Sequence, residues 1–284
     1  YAMGRPLAWE TMADGRSGLD LAQAAGLAVV GSRNPTPQGA SNAQDFAQSL
    51  AQAGLCIVSG MALGVDAAAH TGALRAHAAQ TRQTIATVAV VGTGLDRVYP
   101  SQHRALAHQI AQHGLILSEY HLGTPPLAAN FPQRNRLIAG LSRGTLVVEA
   151  ALQSGSLITA RLALEQGRDV FAIPGSIHST QSKGCHALIK QGAKLVESAQ
   201  DVLEEMRLDQ PPLPPAAGAT QQPPLDAPAR TLLQAMGYDP IGLDALQAIS
   251  ALATPQLQAL LMELELQGVV GRLPGGMVQR IARA

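Results

Sequence analysis

Between Leu27 and Ile173 the sequence alternates short, predominantly apolar runs with longer segments whose apolar residues recur every three or four positions. Few folds accept that order. Leu27–Gly31, Leu55–Ser59, Thr87–Gly92, Leu115–Leu117, Thr145–Val148 and Val170–Ile173 read as strands. Their runs are continuous rather than alternating in polarity, which is what strands covered on both faces require. Between them, Ala43, Phe46, Ala47 and Leu50 mark a helical face that stops at Gly54, and helices are expected from Val65 to Ala79 and from Ser101 to His113. Leu157, Ala160 and Leu164 mark a further helix, which Gly167 ends. Strands alternating with helices predict an α/β domain: a mostly parallel, doubly wound sheet with helices on both faces.

The pattern divides the chain. Residues 1–26, broken by Gly4, Pro6, Gly15 and Gly18, are expected to be irregular, and residues 27–206 form the α/β domain. Residues 207–227 are a linker, since Asp209–Pro228 holds seven prolines and little that is bulky and apolar. In residues 228–284, three short helices are expected at Arg230–Met236, Leu243–Ile249 and Pro255–Gln267, the last with a Leu257, Leu260, Leu261, Leu264 stripe. A hairpin, Val269–Ile281, follows with Gly275 and Gly276 at its centre. Three helices and a hairpin are the order of a small winged-helix domain. From Asp226 onward four arginines face five acids, with Glu263 and Glu265 on the third helix. A protein-contact or accessory role is therefore expected of this module rather than DNA reading.

Chemistry is expected where strands give way to small-residue turns. Four turns stand out: Gly31-Ser32-Arg33, Gly60-Met61-Ala62-Leu63-Gly64, Gly92-Thr93-Gly94 and Ser154-Gly155-Ser156. In an open α/β sheet the carboxyl ends of the strands share one crevice. Glycine there lets backbone N–H groups approach an anion, and the helix that follows favours negative charge. Each turn alone is what any strand–helix connection needs; four on one edge, with Arg33 in one of them, point to an anionic ligand. The stretch Asn130–Arg161 adds to this. It opens with Phe131 and with Arg134, Asn135 and Arg136, taken as a loop after Phe131-Pro132. Between Arg97 and Val148 the sole acid is Glu119, against Arg97, Arg104, Arg134, Arg136 and Arg143. Arg104 is assigned to a solvated helix face; Phe131 is either core or a platform on which a base would gain about 1–3 kcal/mol by stacking.

Other classes drop out. No Walker A loop and no full dinucleotide fingerprint occurs, since Leu95-Asp96-Arg97 follows Gly94 without a third glycine, so neither ATP nor NAD is expected and no cofactor is assigned. Net charge is zero, so anion binding must come from local patches. Seventeen arginines against Lys183, Lys190 and Lys194 reflect a compositional bias as well as chemistry, so the count itself is not read as functional. Cys56 and Cys185 suggest no disulfide framework; the Cys185-His186 pair has no orienting partner, and neither Asp66/His70 nor His103, His108 and His113 makes a metal site. No apolar run approaches about 18–20 residues and no signal peptide is visible, so a soluble, cytoplasmic chain is expected, without a membrane. It begins at Tyr1 and is expected to be a trimmed or partial chain.

Several blocks resemble the DNA-processing protein A family (DprA, also called Smf): GSR at Gly31–Arg33, SGMALGVDAAAH at Ser59–His70, GTGLDRVYP at Gly92–Pro100 and NFPQRNRLIAGLS at Asn130–Ser142. So do Val147–Ser176 and Ser182–Val196; the match runs from about Leu27 to Val202, and the tail is similar to the winged-helix domain of many members. The resemblance implies an extended Rossmann-like domain that binds single-stranded DNA as a homodimer, protects incoming DNA in natural transformation and helps to load RecA recombinase, without being an enzyme. It places Arg33, Phe131, Arg134 and Arg136 in the DNA site, with Lys183 of the SKG block reaching the same crevice. Residues 1–26 do not match well. A rival reading is an enzyme: Arg143–Glu149 is similar to the PGGxGTxxE motif of Rossmann-like nucleotide phosphoribohydrolases, although Ser142-Arg143-Gly144 lacks its first two residues. On the first reading Glu149 only organises loops by accepting N–H bonds.

Overall fold

This computed structural model describes residues 1–4, 25–79, 85–207 and 226–282. Most of the expected linker (208–225) and of the expected irregular N-terminal segment (5–24) lie outside the described residues.

The large domain is an eight-stranded sheet. Its strands are β1 (Ala2–Gly4), β2 (Gly26–Val30), β3 (Cys56–Ser59), β4 (Thr87–Val90), β5 (Leu115–Leu117), β6 (Gly144–Val147), β7 (Asp169–Ala172) and β8 (Lys194–Leu195), in the spatial order β1-β5-β4-β3-β2-β6-β7-β8. All neighbours pair in parallel except β1, which runs antiparallel to β5 through Ala2↔Leu117 and Gly4↔Leu115. The sequence shows no pattern for β1, because an edge strand needs apolar residues on neither face. The chain winds outward from β2 through β5 and then returns to lay β6 on the other side of β2, so the direction of winding reverses between β2 and β6. In such sheets the crevice opens at the carboxyl ends beside that reversal.

Among the described residues, seven helices cover the sheet. Along β2 the side chains alternate between its faces: Leu27 and Val29 join Phe46, Leu50, Val65, Ala69 and Phe171 on one, while Ala28 and Val30 join Ile138, Ala139, Ala160 and Cys185 on the other. The first face is covered by α1 (Pro37–Gln52), α2 (Val65–Ala78), α3 (Arg104–His113) and α7 (Ala199–Glu205), and the second by α4 (Asn130–Gly140), α5 (Ser156–Glu165) and α6 (Lys183–Lys190). The expected helix from Ser101 begins as a short 3-10 turn, Ser101–His103. Helices α1 and α2 meet almost backbone to backbone: a Cβ on Gly72 would lie 2.1 Å from the carbonyl oxygen of Gln44.

Asn130–Gly140 departs from the expectation of a loop. Pro132 occupies the third helical position, where the backbone N–H has no partner within the helix, so the ring costs no hydrogen bond. Beyond it, Gln133 to Ala139 contains no helix breaker.

The smaller module has α8 (Ala227–Met236), β9 (Ile241–Gly242), α9 (Leu243–Ser250), α10 (Thr254–Leu266), β10 (Val270–Leu273) and β11 (Met277–Arg280), the hairpin turning through Gly275 and Gly276 at positive φ. Leu232, Leu246, Leu257, Leu261 and Val278 are among the residues of its own core. It touches the large domain at the first turn of α1. Gln38 donates from Nε2 to the carbonyl of Ala282 (2.7 Å) and accepts the Ala282 N–H at Oε1 (2.5 Å). Gly271 lies against Pro37, with no room for a Cβ between them.

Candidate nucleic-acid interface

The loop after β2 carries Arg33. Ser32 is buried, its N–H donating to the carbonyl of Glu149 (2.6 Å), and Asn34 N–H closes on Ser32 Oγ (3.1 Å). Arg33 therefore stands at the tip of a short, tied loop. It is exposed, has no carboxylate partner among the described residues, and places its guanidinium carbon 5.9 Å from the centroid of the Phe131 ring. Phe131 also meets Tyr99, at 5.5 Å between centroids with the planes tilted by 36°. Gly92 makes room for the ring, since a Cβ there would lie 3.1 Å from it. Tyr99 is 48% exposed, so the arginine, the phenylalanine and the tyrosine form a cationic and aromatic rim to the crevice.

Beneath the rim lies a buried charge. Arg134 is 4% exposed and donates from Nη1 to the carbonyls of Gly60 (2.7 Å) and Val90, tying α4 to the ends of β3 and β4. Burial, offset in part by Asp66, lowers the guanidinium to about 10. Asp66 is buried as well and accepts from Gly60 N–H (3.1 Å) and Ala62 N–H (3.3 Å). Burial raises its carboxyl above the usual range, against the pull of Arg134. Nearby, burial drives His70 down to about 3; its Nδ1 meets Thr87 Oγ1 at 2.8 Å. Gly60 is glycine because a Cβ would sit 2.5 Å from the Arg134 guanidinium.

The residues singled out in the sequence thus separate into two layers. Residues two apart on a helix point some 200° apart, so Arg134 and Arg136 cannot share a surface. Arg134 goes into the floor, while Arg136 is exposed and paired with Glu119. Asn135, between them, reaches the Gly155 carbonyl at 3.4 Å. Ser32, Gly60, Met61, Gly92, Thr93, Gly94 and Ser156 are buried, while Gly31, Gly64, Phe131, Asn135 and Ser154 are half-buried. Arg33, Gly155 and Lys183 face solvent; Lys183 donates to the carbonyl of Ile177.

In three of the four turns, part of the backbone N–H set expected to face phosphate is already engaged within the protein. The N–H groups of Ser32, Gly60, Ala62 and Gly94 are already given to Glu149, Asp66, Asp66 and Thr124. The fourth turn is tied more loosely: Ser154 Oγ meets Ser156 Oγ at 2.7 Å and the Ser156 N–H at 3.4 Å, and Gly155 stands in open space. Gly64, at φ +77°, presses on the carbonyl of Ser32 and so locks the second loop against the first. Tyr99 escaped the sequence reading; its place in the GTGLDRVYP block was visible, but its partner Phe131 lies 32 positions away.

Glu149 is half-buried and engaged. Thr36 donates its N–H to Oε2 (2.9 Å) and its hydroxyl to Oε1 (2.6 Å), and Gly39 leaves the carboxylate its space. Burial raises its carboxyl above the usual range, and the two Thr36 bonds oppose that. Burial pushes both the Cys56 and Cys185 thiols up to about 12, far from a thiolate nucleophile. Among the described residues no three His, Cys, Asp or Glu side chains come together to hold a metal, and no helix is long and apolar enough to cross a membrane.

Comparison with known proteins agrees with this architecture. Protein Smf of Escherichia coli is 43% identical over 263 residues, covering 91% of this chain and 68% of its own length. The solved structure of DNA processing protein A from Streptococcus pneumoniae superposes with a TM-score of 0.62 at 47% identity, over 72% of this chain and 65% of that one. DNA processing protein A from Helicobacter pylori, for which a single-stranded DNA binding mode is described, gives a TM-score of 0.61 at 31% identity, over 74% and 87%. The chain thus spans about two thirds of the length of the first two relatives. The DprA winged helix domain matches residues 214–276, which include the module built on α8 to β10. The DNA recombination-mediator protein A family matches residues 15–207, which take in β2 to β8 and every residue of the rim and floor, and to that family this chain belongs.

Proposed function

We propose that this protein binds single-stranded DNA along the crevice at the carboxyl edge of its sheet. In this reading it is a recombination mediator: as a homodimer it protects an incoming strand and passes it to RecA recombinase. The observation that carries the reading is the Arg33 guanidinium, exposed, without a carboxylate partner among the described residues, and set over Phe131. A cation with forked donors suits a phosphate, and the aromatic rim beside it suits an unstacked base, which only a single strand offers. Phe131 and Tyr99 stack on any base, so little sequence preference is expected. The Helicobacter relative, with its described single-strand binding mode, supports the same assignment.

Hydrolysis at an N-glycosidic bond is the weaker reading, because each oxygen of Glu149 already accepts a bond from Thr36, which suits a loop-holding carboxylate. Release of free base from nucleoside monophosphates, abolished in Glu149→Ala, would reverse that judgement.

The direct test is fluorescence anisotropy with an oligothymidine and with a blunt duplex of equal length, at two salt concentrations. The single strand should bind more tightly, with a log–log salt slope of about −0.7 per phosphate neutralised. Arg33→Ala should fold normally and bind roughly tenfold or more weakly, a loss of about 1.5–3 kcal/mol. Arg33→Lys should recover part of it, since an ammonium lacks the fork. Equal affinity for duplex, or full affinity in Arg33→Ala, refutes the assignment. Faster RecA assembly on a strand carrying this protein tests the mediator step.

A further inference from the structure

We infer that Glu149 is a positioning residue: it holds the Arg33 loop at both ends and so sets where the guanidinium stands. The inference rests on the single-strand reading above and names a residue on which that reading depends.

The loop leaves the sheet at Gly31 and enters α1 at Pro37. At its start, the Ser32 N–H is bound by the backbone carbonyl of Glu149 at 2.6 Å. At its end, both donors of Thr36 are bound by the Glu149 carboxylate, at 2.9 and 2.6 Å. One residue at the end of β6 thus anchors two points four residues apart, with Arg33, Asn34 and Pro35 spanning the gap. The strands fix the clamp itself, because β2 and β6 pair through Val30↔Val147 and Val148 N–H reaches Val30 O at 3.1 Å. Two glycines are shaped to it. A Cβ on Gly31 would lie 2.8 Å from the Glu149 carbonyl oxygen, and one on Gly39 would lie 2.3 Å from its carboxyl carbon.

Thr36 has a second bond that transmits the restraint. Its Oγ1 accepts the Gly39 N–H at 3.0 Å, capping α1. The hydroxyl therefore donates to the carboxylate and accepts from the helix, so the direction of α1 and the height of the loop are set together. Fixing a long side chain's root in this way lowers the ordering cost of each contact its tip makes. The guanidinium itself is untouched by Glu149, so the carboxylate acts through placement alone.

The test is a double-mutant cycle in oligothymidine affinity. Glu149→Met keeps the volume and removes both acceptors; Thr36→Val keeps the shape and removes the hydroxyl. Each should weaken binding about five- to tenfold in the wild-type background and by less than about twofold when Arg33 is already alanine. The salt slope of Arg33→Ala should also be unchanged by adding either substitution. If Glu149→Met does not fold, Thr36→Val carries the cycle by itself. Wild-type affinity in both single variants overturns the inference, and so does an equal loss with and without Arg33, which would mean a general loss of structure. Should the unaltered protein itself fail to bind oligothymidine, the single-strand reading falls instead.

Discussion

The carboxyl edge of the large sheet and the C-terminal module are built to different tolerances. At the edge, backbone lies against side chain and side chain against backbone. Gly31, Gly39, Gly60 and Gly64 each leave less than 3.0 Å for a Cβ, and a charged pair, Arg134 and Asp66, is sealed below them. In the module, Gly237, Gly242, Gly268, Gly275 and Gly276 have nothing within 4 Å of an added Cβ. Its charges stay in water: Arg272 meets Glu265 at 2.8 Å with both side chains well exposed. Among its described glycines Gly271 alone is pressed, and what presses it is Pro37 of the other domain. Close packing is spent where loops from several strands must hold one shape, and a module with only its own small core to close does without it.

The largest effect that would break this contrast concerns the two arginines. Arg134→Met strips the Gly60 and Val90 carbonyls of their donor and leaves Asp66 buried without its cation. A loss of about 3–5 kcal/mol is expected in urea unfolding. Arg272→Ala should cost no more than about 1 kcal/mol, being a solvated pair. Equal costs would end the distinction between sealed and solvated charge.

Acid should divide the two regions next. All eight histidines lie before residue 190, and none lies in the module. His70 is held neutral down to about 3 in the fold, whereas an unfolded histidine takes its proton near 6.5. Its contribution is therefore complete above pH 6.5 and declines as pH falls toward 3. Between pH 6.5 and 4.5 the wild type should lose about 2–3 kcal/mol relative to His70→Asn. Parallel curves for the two proteins over that interval would contradict the assignment.

Glycine substitutions sharpen the comparison at smaller scale. Gly72→Ala, forced against the Gln44 carbonyl at 2.1 Å, should cost about 1–3 kcal/mol. Gly242→Ala, in open space at the start of α9, should stay within about 1 kcal/mol, the cost of a poorer cap. Thermal melts of the two variants decide it. Smallest of all, Tyr99→Ala should reduce oligothymidine affinity about fivefold, the low end of what one stacked base contributes. Tyr238, under Arg280 at 4.7 Å, is the matching pair in the module. Tyr238→Ala should leave affinity unchanged, and an equal drop would bring the module into the DNA site.

Much of this was legible in the residues. Strands β2 to β7 are largely buried on both faces, and burial on both faces is what makes such runs predominantly apolar. The edge strands were not legible for the converse reason: β8 is Lys194-Leu195, both exposed, and β1 carries no comparable run. The site divides similarly. Arg33 could be placed because it follows a buried strand within three residues, but Arg134 and Arg136 could be told apart only by the helix they share. The four-residue step from Arg134 to Ile138, both buried, was the available signal, and the proline ahead of it argued the other way. That the Ser32 and Gly94 N–H groups are engaged was not legible, because their acceptors, Glu149 and Thr124, come from distant parts of the chain, whereas Asp66, which takes those of Gly60 and Ala62, is local.

The paired amide bonds between Gln38 and residue 282 carry no formal charge, unlike the expected grip on DNA. Each phosphate contact releases a counterion and so weakens as salt rises. A neutral amide pair releases none, and its strength is nearly indifferent to ionic strength. A salt step that elutes the strand should therefore leave the two domains docked. On the proposed function, the protein would thus release one strand with its two domains already in place for another.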